Sequence, residues 1–245
     1  MRPLGILILE TAFERIRGDI GCAASFDFPV RYFTVPGATP DTVVHRPDAA
    51  LLPVFIEGGL ALAREGCLGI TTTCGFLARW QRELAAGLPV PIATSALQLI
   101  PAVQATLPPG QRVGVVTYSA PSLGFPELAG AGVDLNVDAG QVAIAGVDPQ
   151  SHFAAVIDGK VRLEAPRMAA DTVAAAQSLL REHPNIGAIV LECANMPPYA
   201  GAVRAATGLP VYDALTLVNA FHHALSTAGA GAPDWRDPAI LRETR

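Results

Sequence analysis

Ile186-Gly-Ala-Ile-Val-Leu-Glu-Cys193-Ala-Asn-Met-Pro-Pro-Tyr199 is an apolar run followed by a cysteine and by a turn that opens into a helix. Earlier in the chain, the same order occurs in Cys67-Leu-Gly-Ile-Thr-Thr-Thr-Cys74-Gly-Phe-Leu-Ala-Arg79. Short apolar runs that are bounded by turn residues are typical of buried strands in parallel sheets. Each stretch therefore predicts a buried strand with a cysteine at its carboxyl end, Cys74 in the first and Cys193 in the second.

The surroundings of the two cysteines indicate a faint internal repeat. The tripeptide Leu-Pro-Val follows Cys74 by 14 residues, at Leu88–Val90, and follows Cys193 by 16 residues, at Leu209–Val211. Each half also opens on an apolar run that ends in threonine: Leu4–Thr11 and Val113–Thr117. Self-similarity at a nearly fixed spacing is the signature of a repeated unit. We therefore expect two related halves whose thiols converge on one cleft.

Strand and helix patterns alternate through most of the chain, which predicts parallel sheets covered by helices on both faces. The predicted fold class is α/β, with two pseudo-symmetric domains and the active site in the cleft between them. Residues 1–97 together with 214–245 form the predicted first domain, which carries Cys74, and residues 98–213 form the second, which carries Cys193. Strands are predicted near Gly5–Leu9, Val30–Phe33, Gly69–Thr72, Ile92–Ala93, Val113–Thr117, Ile189–Leu191 and Val211–Asp213. Helices are predicted over Leu51–Glu65, Phe76–Ala86, Ser95–Ala105, Arg167–Glu182, Tyr199–Ala206 and Ala214–Ser226.

The composition argues against several classes of protein. Apolar residues make up 51% of the 245 residues, which is enough for a sizeable core and disfavours disorder. The formal net charge is -5, Lys160 is the sole lysine, and no basic run is long enough to follow phosphates, so a nucleic-acid partner is not expected. Because the sequence has neither a long apolar span nor a recognisable secretory signal, we expect a cytoplasmic protein without a membrane partner.

The four cysteines, at positions 22, 67, 74 and 193, have a spacing that suits neither a zinc site nor a disulfide framework. Cys67 inside an apolar run is interpreted as a core residue, and Cys22 in an irregular loop as incidental. Cys74 and Cys193 differ because they lie where parallel strands end, the edge at which open α/β sheets bind ligands. A helix that starts just after each cysteine is expected to lower the thiol pKa from about 8.5 towards neutrality.

Two thiols that face each other across a ligand suit one kind of chemistry. One thiolate can remove a proton from a carbon next to a carbonyl, while the other thiol returns a proton to the opposite face. The configuration at that carbon is then inverted, and neither a metal ion nor another cofactor is needed. The groups expected to stabilise the enolate-like charge are the backbone N–H groups around Gly75, Phe76, Ala194 and Asn195 and the hydroxyl groups of Thr73 and Thr117.

An irregular stretch, Arg15–Pro29, is expected to form a long loop beside the end of the first strand. Arg17 in this loop, with Arg15, is a candidate to bind a carboxylate through its guanidinium group, although a solvated surface arginine is the simpler interpretation. Tyr118 follows a strand end in the second half and is a candidate hydrogen-bond partner for a ligand. Glu10 could orient a substrate amine or tune a thiol, or could cap a helix.

Thr72-Thr-Cys74-Gly-Phe76 and Leu191-Glu-Cys193-Ala-Asn-Met-Pro-Pro198, together with the doubled architecture, resemble the aspartate/glutamate racemase superfamily, in a poorly characterised branch. The likeness runs over nearly the whole chain and includes Arg17-Gly-Asp19-Ile-Gly21. The resemblance implies two pseudo-symmetric α/β domains, an interdomain cleft and catalysis by a pair of cysteines without a cofactor. It assigns the two catalytic positions to Cys74 and Cys193.

Departures from the family pattern bear on the substrate. In amino-acid racemases of this family Asn-Thr typically follows the first cysteine and Thr-His the second, whereas this chain has Gly75-Phe76 and Ala194-Asn195. Glu10-Thr11 stands where an Asp-Ser pair is usual, and both residues are carried over as substrate contacts. Aspartate or glutamate is therefore less expected than a hydantoin, a substituted malonate or another carboxylic acid. Decarboxylases of the superfamily keep only one of the two cysteines, so the pair favours racemase or isomerase chemistry.

The resulting hypothesis is a cofactor-independent racemase or isomerase that inverts a carbon next to the carboxylate or carbonyl group of a small acid, amino acid or hydantoin. One alternative is a cis-trans isomerase of a maleate-like diacid, in which one cysteine attacks a double bond and the other protonates the product. Another is a non-catalytic protein that binds small acids in a two-domain cleft. Homo-oligomers are common in the family, and the sequence identifies no interface.

Overall fold

Two parallel sheets with the same strand order form the framework of the molecule. The computed structural model describes residues 2–134 and 142–227. The strands are β1 (Leu4–Leu9), β2 (Val30–Val35), β3 (Ile70–Thr72), β4 (Ile92–Ala93), β5 (Arg112–Thr117), β6 (Val142–Gly146), β7 (Ile186–Leu191) and β8 (Val211–Tyr212). The first sheet has the order β2-β1-β3-β4, the second has the order β6-β5-β7-β8, and neighbouring strands are parallel.

The strand sequences explain why both sheets lie in the interior. β1 reads Leu-Gly-Ile-Leu-Ile-Leu, β7 reads Ile-Gly-Ala-Ile-Val-Leu, and every residue of β7 is buried. Continuous apolar runs of this kind are typical of parallel strands that are covered on both faces. The predicted α/β class, with two similar halves that each hold a parallel sheet flanked by helices, is therefore confirmed.

Helices connect the strands and cover the sheets. Within the described residues the α-helices are α1 (Leu52–Arg64), α2 (Gln81–Gly87), α3 (Ile100–Gln104), α4 (Phe125–Gly130), α5 (His152–Ile157), α6 (Ala165–Glu182), α7 (Ala200–Thr207) and α8 (Ala214–Thr227). The predicted helices over Phe76–Ala86 and Ser95–Ala105 begin as tighter 3-10 turns, at Gly75–Trp80 and Ala96–Leu99. No helix in the described part of the chain is long and apolar enough to cross a membrane.

Three elements were not predicted from the sequence: β6, α4 and α5. β6 reads Val-Ala-Ile-Ala-Gly and pairs only with β5 at the edge of its sheet. Alanine and glycine are depleted in strands, so the β signal of this segment is weak. α4 and α5 have six residues each, which is too short for a helical period to stand out from the surrounding sequence.

The last described helix, α8, packs on the first half of the chain although it follows the second half. A Cβ atom on Gly69, just before β3, would lie 2.5 Å from a side-chain atom of Leu225 and 3.0 Å from the ring of Phe221. This contact supports the predicted first domain, residues 1–97 with 214–245, although the division itself stays a prediction. Residues 1 and 228–245 of that domain and residues 135–141 of the second lie outside the described residues.

Candidate active site

Cys74 and Cys193 line one cavity between the two sheets. Cys74 follows β3 and Cys193 follows β7, and these strands are the neighbours of β1 and β5 in equivalent positions of their sheets. The cysteines are 8% and 9% exposed, and the cavity that both of them line has a volume of about 30 Å³. Such a space is large enough to hold water. The thiols therefore face a narrow, largely buried space between the halves.

Seven of the other candidate site residues also line this cavity: Thr11, Arg15, Thr73, Gly75, Phe76, Tyr118 and Asn195. Four do not line it. Glu10 is exposed, and its carboxylate accepts a hydrogen bond of 2.8 Å from the N–H of Gly37. Arg17 is exposed in the loop. Consecutive residues at a strand end point in opposite directions, so Thr11 reaches the cavity and Glu10 does not. The predicted substrate contacts of Glu10 and of the exposed Arg17 are therefore not supported.

Thr117 and Ala194, the other two residues outside the lining, lie directly behind it. The hydroxyl group of Thr117 is fully buried and donates a hydrogen bond of 2.7 Å to Glu192. The carbonyl group of Ala194 accepts a hydrogen bond of 3.3 Å from the N–H of Ile20. Both residues therefore contact groups next to the thiols, and their predicted role as direct ligands of a substrate is not supported.

Cys74 lies at the start of the 3-10 turn Gly75–Trp80. Its N–H donates a 3.3 Å hydrogen bond to the hydroxyl oxygen of Thr72. Burial raises the pKa of the Cys74 thiol to about 12, and the nearby Glu192 carboxylate also raises it, whereas the backbone N–H of Phe76 lowers it. The predicted pKa near neutrality is therefore wrong, because the closed cavity disfavours a thiolate more than the helix start favours it.

Cys193 is tied to the opposite half by a series of hydrogen bonds. Its thiol donates to Oδ1 of Asn195 at 3.5 Å, and Nδ2 of Asn195 donates to Oδ2 of Asp19 at 2.6 Å. Asp19 is 3% exposed, and its Oδ1 accepts from Nη1 of Arg15 at 2.9 Å. Arg15 also donates to Thr11 at 2.8 Å. The loop after β1 thus positions a thiol that belongs to the other half.

Burial also raises the pKa of the Cys193 thiol well above its usual value, with further increases from the charges of Glu192, Cys74 and Asp19. The N–H of Asn195 acts in the opposite direction. The prediction of a lowered thiol pKa is therefore wrong for this cysteine as well. Because Cys74 is among the groups that raise the pKa of Cys193, a negative charge on Cys74 disfavours a second one on Cys193.

Glu192 and Asp19 were missed as site residues. Glu192 lines the thiol cavity and is 1% exposed. Burial raises its pKa to about 7, although the hydroxyl group of Thr117 and the N–H of Tyr118 favour the ionised form. The signal in the sequence was a glutamate between an apolar strand and Cys193, since acidic residues are almost never fully buried without a partner. Asp19 carried no comparable signal, because its position depends on the path of an irregular loop.

Tyr118 separates the thiol cavity from a wider cleft. It lines both spaces, and the wider cleft has a volume of about 840 Å³. The phenol donates a hydrogen bond of 2.5 Å to Oδ1 of Asp158, and its oxygen lies 3.2 Å from Nε2 of His45. His45 belongs to the first half and Asp158 to the second. These contacts hold the two halves together at the edge of the closed cavity.

The cysteines are unpaired thiols. Among residues 2–134 and 142–227, no group of three or more His, Cys, Asp and Glu side chains is arranged to hold a metal ion. The polar side chains that face the thiol cavity come instead from threonine, asparagine, tyrosine, arginine and glutamate.

Comparisons with known proteins agree with this fold. The model of the family described as Asp/Glu/hydantoin racemase matches residues 28–219. A dimethylsulfoniopropionate lyase from Durusdinium sp. clade D is 30% identical over 239 residues, which cover 96% of this chain and 79% of the lyase. The structure of glutamate racemase from Francisella tularensis subsp. tularensis SCHU S4 in complex with D-glutamate is similar with a TM-score of 0.58 at 14% identity, over 94% of this chain and 82% of that chain. Arylmalonate decarboxylase gives a TM-score of 0.54 at 14% identity, over 94% of each chain.

Proposed function

The chain belongs to the Asp/Glu/hydantoin racemase family, an enzyme family, and on this premise we propose that it inverts a carbon next to the carboxylate group of a small acid, with Cys74 and Cys193 as acid and base. The observation that carries the proposal is that two buried thiols from the two halves line a single cavity. A pair of acid/base groups can take a proton from one face of a carbon and return one to the other face.

The surroundings of the thiols favour different starting roles. The thiol of Cys193 donates a hydrogen bond to Asn195, an arrangement that requires the proton on sulfur. Cys74 has backbone N–H groups of Phe76 and Leu77 that favour its thiolate, and the charge of Arg79 acts in the same direction. Cys74 is therefore the proposed base, and Cys193 the proposed acid, for one direction of the reaction. In the reverse direction the roles are exchanged.

The reaction starts when the Cys74 thiolate removes the α-proton and an S–H bond replaces the C–H bond. The electron pair moves onto the ligand carboxylate, which becomes enediolate-like, and the Cys193 thiol then protonates the α-carbon on its other face. A thiolate whose conjugate acid has a raised pKa is a stronger base, which suits a weakly acidic C–H bond. The hydroxyl group of Thr73 accepts from the N–H of Leu9 at 3.2 Å, so its own proton can stabilise the charge on the ligand.

A ligand requires the cavity to open. A space of about 30 Å³ admits water but is far smaller than the pockets of about 300 Å³ or more that usually hold small organic ligands. Thr11, Phe13 and Arg15 of the loop after β1 line one part of it, and Pro40 and Val44 line another. We infer that these loop segments move outward when a ligand enters and close over it during the reaction. Closure then excludes water and strengthens the interactions of the charged intermediate.

A lyase is the second candidate, because the similarity to a dimethylsulfoniopropionate lyase extends over 96% of this chain. The first step is the same removal of an α-proton by Cys74. If the β-carbon carries a dimethylsulfonium group, the electron pair forms a carbon–carbon double bond and the β-carbon–sulfur bond breaks. The products are acrylate and neutral dimethyl sulfide. Cys193 is not needed to protonate carbon in this case, so the two candidates make different demands on the second thiol.

One assay in deuterated water separates the candidates. The protein is incubated with single enantiomers of α-substituted carboxylic acids and hydantoins and, separately, with dimethylsulfoniopropionate. Deuterium at the α-carbon together with a change in optical rotation is the result expected for the proposed racemase. Release of dimethyl sulfide without inversion of the chiral acids would establish the lyase instead. A covalent adduct with a maleate-like diacid would indicate the cis-trans isomerase, and binding without exchange would overturn an enzymatic function for the acids tested.

A further inference from the structure

Glu192 is an acidic side chain that the proposed reaction leaves without a role. Its Oε2 accepts a hydrogen bond of 2.7 Å from the hydroxyl group of Thr117, and the backbone N–H of Tyr118 also favours the ionised carboxylate. Its Oε1 is buried and hydrogen-bonds to none of the described residues. A buried polar atom without a partner is rare in proteins and is frequent at functional sites. The position of this oxygen therefore needs an explanation.

The carboxyl group of Glu192 lines the same cavity as the two thiols. Glu192 directly precedes Cys193 in the chain, and across the cavity its Oε1 touches the backbone of Gly75, the residue after Cys74. A Cβ atom on Gly75 would lie only 2.2 Å from Oε1, so the close approach depends on the missing side chain of glycine. One carboxyl group thus contacts the segments that hold both sulfur atoms.

Each cation near Glu192 is paired with another carboxylate. Arg15, which lines the same cavity, forms an ion pair with Asp19, and Arg79 on the first half is paired with Glu127. Thr117, at the end of β5, and Tyr118, just after it, contact the carboxyl group itself, and the charge of Glu192 acts on Cys74. On the second half, the side chain of Asn195 lies between Cys193 and Asp19 and forms a hydrogen bond with each.

A second, small cavity lies on the remaining side of Glu192. It has a volume of about 10 Å³ and contains no charged side chain other than Glu192 itself. Its lining consists of Thr71, Thr72, Gly75, Thr94, Ser95, Ala96, Ala194, Ala214 and Leu217. Glu192 therefore lacks the counter-ion that usually accompanies a buried carboxylate.

We propose that Glu192 is a positioning residue that controls when a thiolate forms in the cavity: the protonated carboxyl group permits a thiolate at Cys74 or Cys193, and the ionised carboxylate suppresses it. The inference rests on the proposed function of the two thiols. In its protonated form Glu192 is neutral, and its free Oε1 can donate a hydrogen bond to negative charge in the cavity. The ionised carboxylate would place a second negative charge beside a thiolate, and the repulsion between two charges is strong in a buried site of low polarity.

The charges of these groups support this coupling. Burial raises the pKa of Glu192 to about 7, so its ionisation falls in the physiological range. After burial, the Glu192 carboxylate is the largest contribution that raises the pKa of Cys74 and of Cys193. One negative charge in the cavity therefore costs less free energy than a second one beside it. Coupled groups of this kind titrate as a unit rather than separately.

The rate of thiol alkylation tests the coupling without any substrate. The purified full-length protein is treated with iodoacetamide over a range of pH, and the modification of each cysteine is measured by mass spectrometry. For the wild type we expect the rate at Cys74 to rise tenfold per pH unit up to about pH 7, to level off, and to rise again at higher pH. The plateau appears because a proton lost above about pH 7 leaves Glu192 rather than a thiol. A single rise without a plateau in the wild type would overturn the proposal.

Glu192→Gln removes the charge and keeps a hydrogen-bond donor and an acceptor in the same places. We expect this variant to lose the plateau and to react at least tenfold faster than the wild type at about pH 9, which corresponds to about one pKa unit of coupling. Thr117→Val removes the hydrogen bond that favours ionised Glu192, so the plateau should begin at higher pH. Glu57→Gln, an exposed residue of α1, is the control and should keep the wild-type profile.

The outcomes distinguish the two proposals. An unchanged plateau in folded Glu192→Gln would refute the role of Glu192 while leaving the thiol mechanism intact. If neither Cys74 nor Cys193 reacts at any pH, while Cys22 does, both proposals fail, because the cavity then does not open to a small molecule or does not form a thiolate when it opens. If Glu192→Gln does not fold, the onset of the plateau in Thr117→Val decides: an onset equal to that of the wild type refutes the role of Glu192.

Discussion

Cys74 and Cys193 occupy equivalent places in two sheets of identical strand order, yet their surroundings are built in different ways. Cys74 is positioned within its own half, by Thr72 and by the 3-10 turn that follows it. Cys193 is positioned across the cleft, by hydrogen bonds from Asn195 to Asp19 of the opposite half. The two sheets are thus equivalent, whereas the hydrogen-bond partners of the two cysteines differ. Repetition of a fold fixes where a sulfur atom lies, and the residues after each cysteine determine its partners.

The difference has a mechanical consequence. The hydrogen bond of Cys74 to Thr72 stays intact when the halves separate, because it lies within one half; the contact that is lost is that of Glu192 with Gly75. The surroundings of Cys193 change when the loop after β1 moves, because that loop carries Asp19 and Arg15. A ligand that opens the cavity therefore releases one thiol and leaves the other in place. Substitutions at and around the two thiols test this difference between Cys74 and Cys193.

The largest effect is expected when either sulfur atom is replaced. Cys74→Ser and Cys193→Ser should each lower the rate of inversion of a chiral acid by about 10²–10⁴-fold, because a serine hydroxyl group is a much weaker acid than a thiol and supplies almost no ionised base. The measurement is polarimetry with a substrate found in the deuterium assay. Cys22→Ser, outside the cavity lining, is the matched control and should keep full activity. Undiminished inversion in either cavity variant would contradict the opposed pair.

Asp19→Asn tests the contact that crosses the cleft. The change leaves the guanidinium group of Arg15 without its buried partner, and removing one member of such a pair typically costs about 3–5 kcal/mol of unfolding free energy. Inversion should also slow, because the Asn195 amide then loses its ionised acceptor. Urea unfolding measures the first effect and polarimetry the second. Asp27→Asn, an exposed position of the same loop, should change neither, and equal behaviour of the two variants would show that Cys193 does not depend on the opposite half.

Glu192→Gln is expected to change how stability depends on pH. The folded protein keeps the Glu192 proton up to about pH 7, whereas the unfolded chain loses it near 4.5. This contribution to stability is complete below pH 4.5 and is lost as the pH rises to about 7, a difference of about 3 kcal/mol. The variant should therefore be more stable than the wild type at about pH 8, relative to pH 4.5, by a similar amount. Urea unfolding at both pH values measures it, and a constant difference between the two proteins would contradict the raised pKa.

Tyr118→Phe is the mildest of these changes. It removes the hydroxyl group that joins Asp158 and His45, and the loss of such hydrogen bonds should cost about 1 kcal/mol. Asp158 keeps its ion pair with Lys160. Because the halves are less firmly joined at the edge of the cavity, alkylation of Cys193 should accelerate several-fold and more than that of Cys74. Equal acceleration of both thiols would remove the proposed asymmetry.

The sequence predicted the framework better than the site. Apolar strands such as Ile186–Leu191 are buried on both faces, so their composition reveals them, and their order places Cys74 and Cys193 at strand ends. The pKa direction of both thiols was predicted wrongly, because a sequence shows the start of a helix but not the closure of a cavity around it. Asp19 could not be identified because an irregular loop has no period from which a side-chain direction follows.

Gly75 and Glu192 are far apart in the sequence, but they form a single steric unit. A methyl group at position 75 would overlap both the carboxyl group and the backbone oxygen of residue 192, so a larger residue at 75 requires the strand end before Cys193 to shift as well as a change at 192. Chains of this family that carry a larger residue directly after the first cysteine should have a smaller or differently directed residue directly before the second. Correlated substitution at these two sites would mark the branch of the family in which an acid controls the thiols.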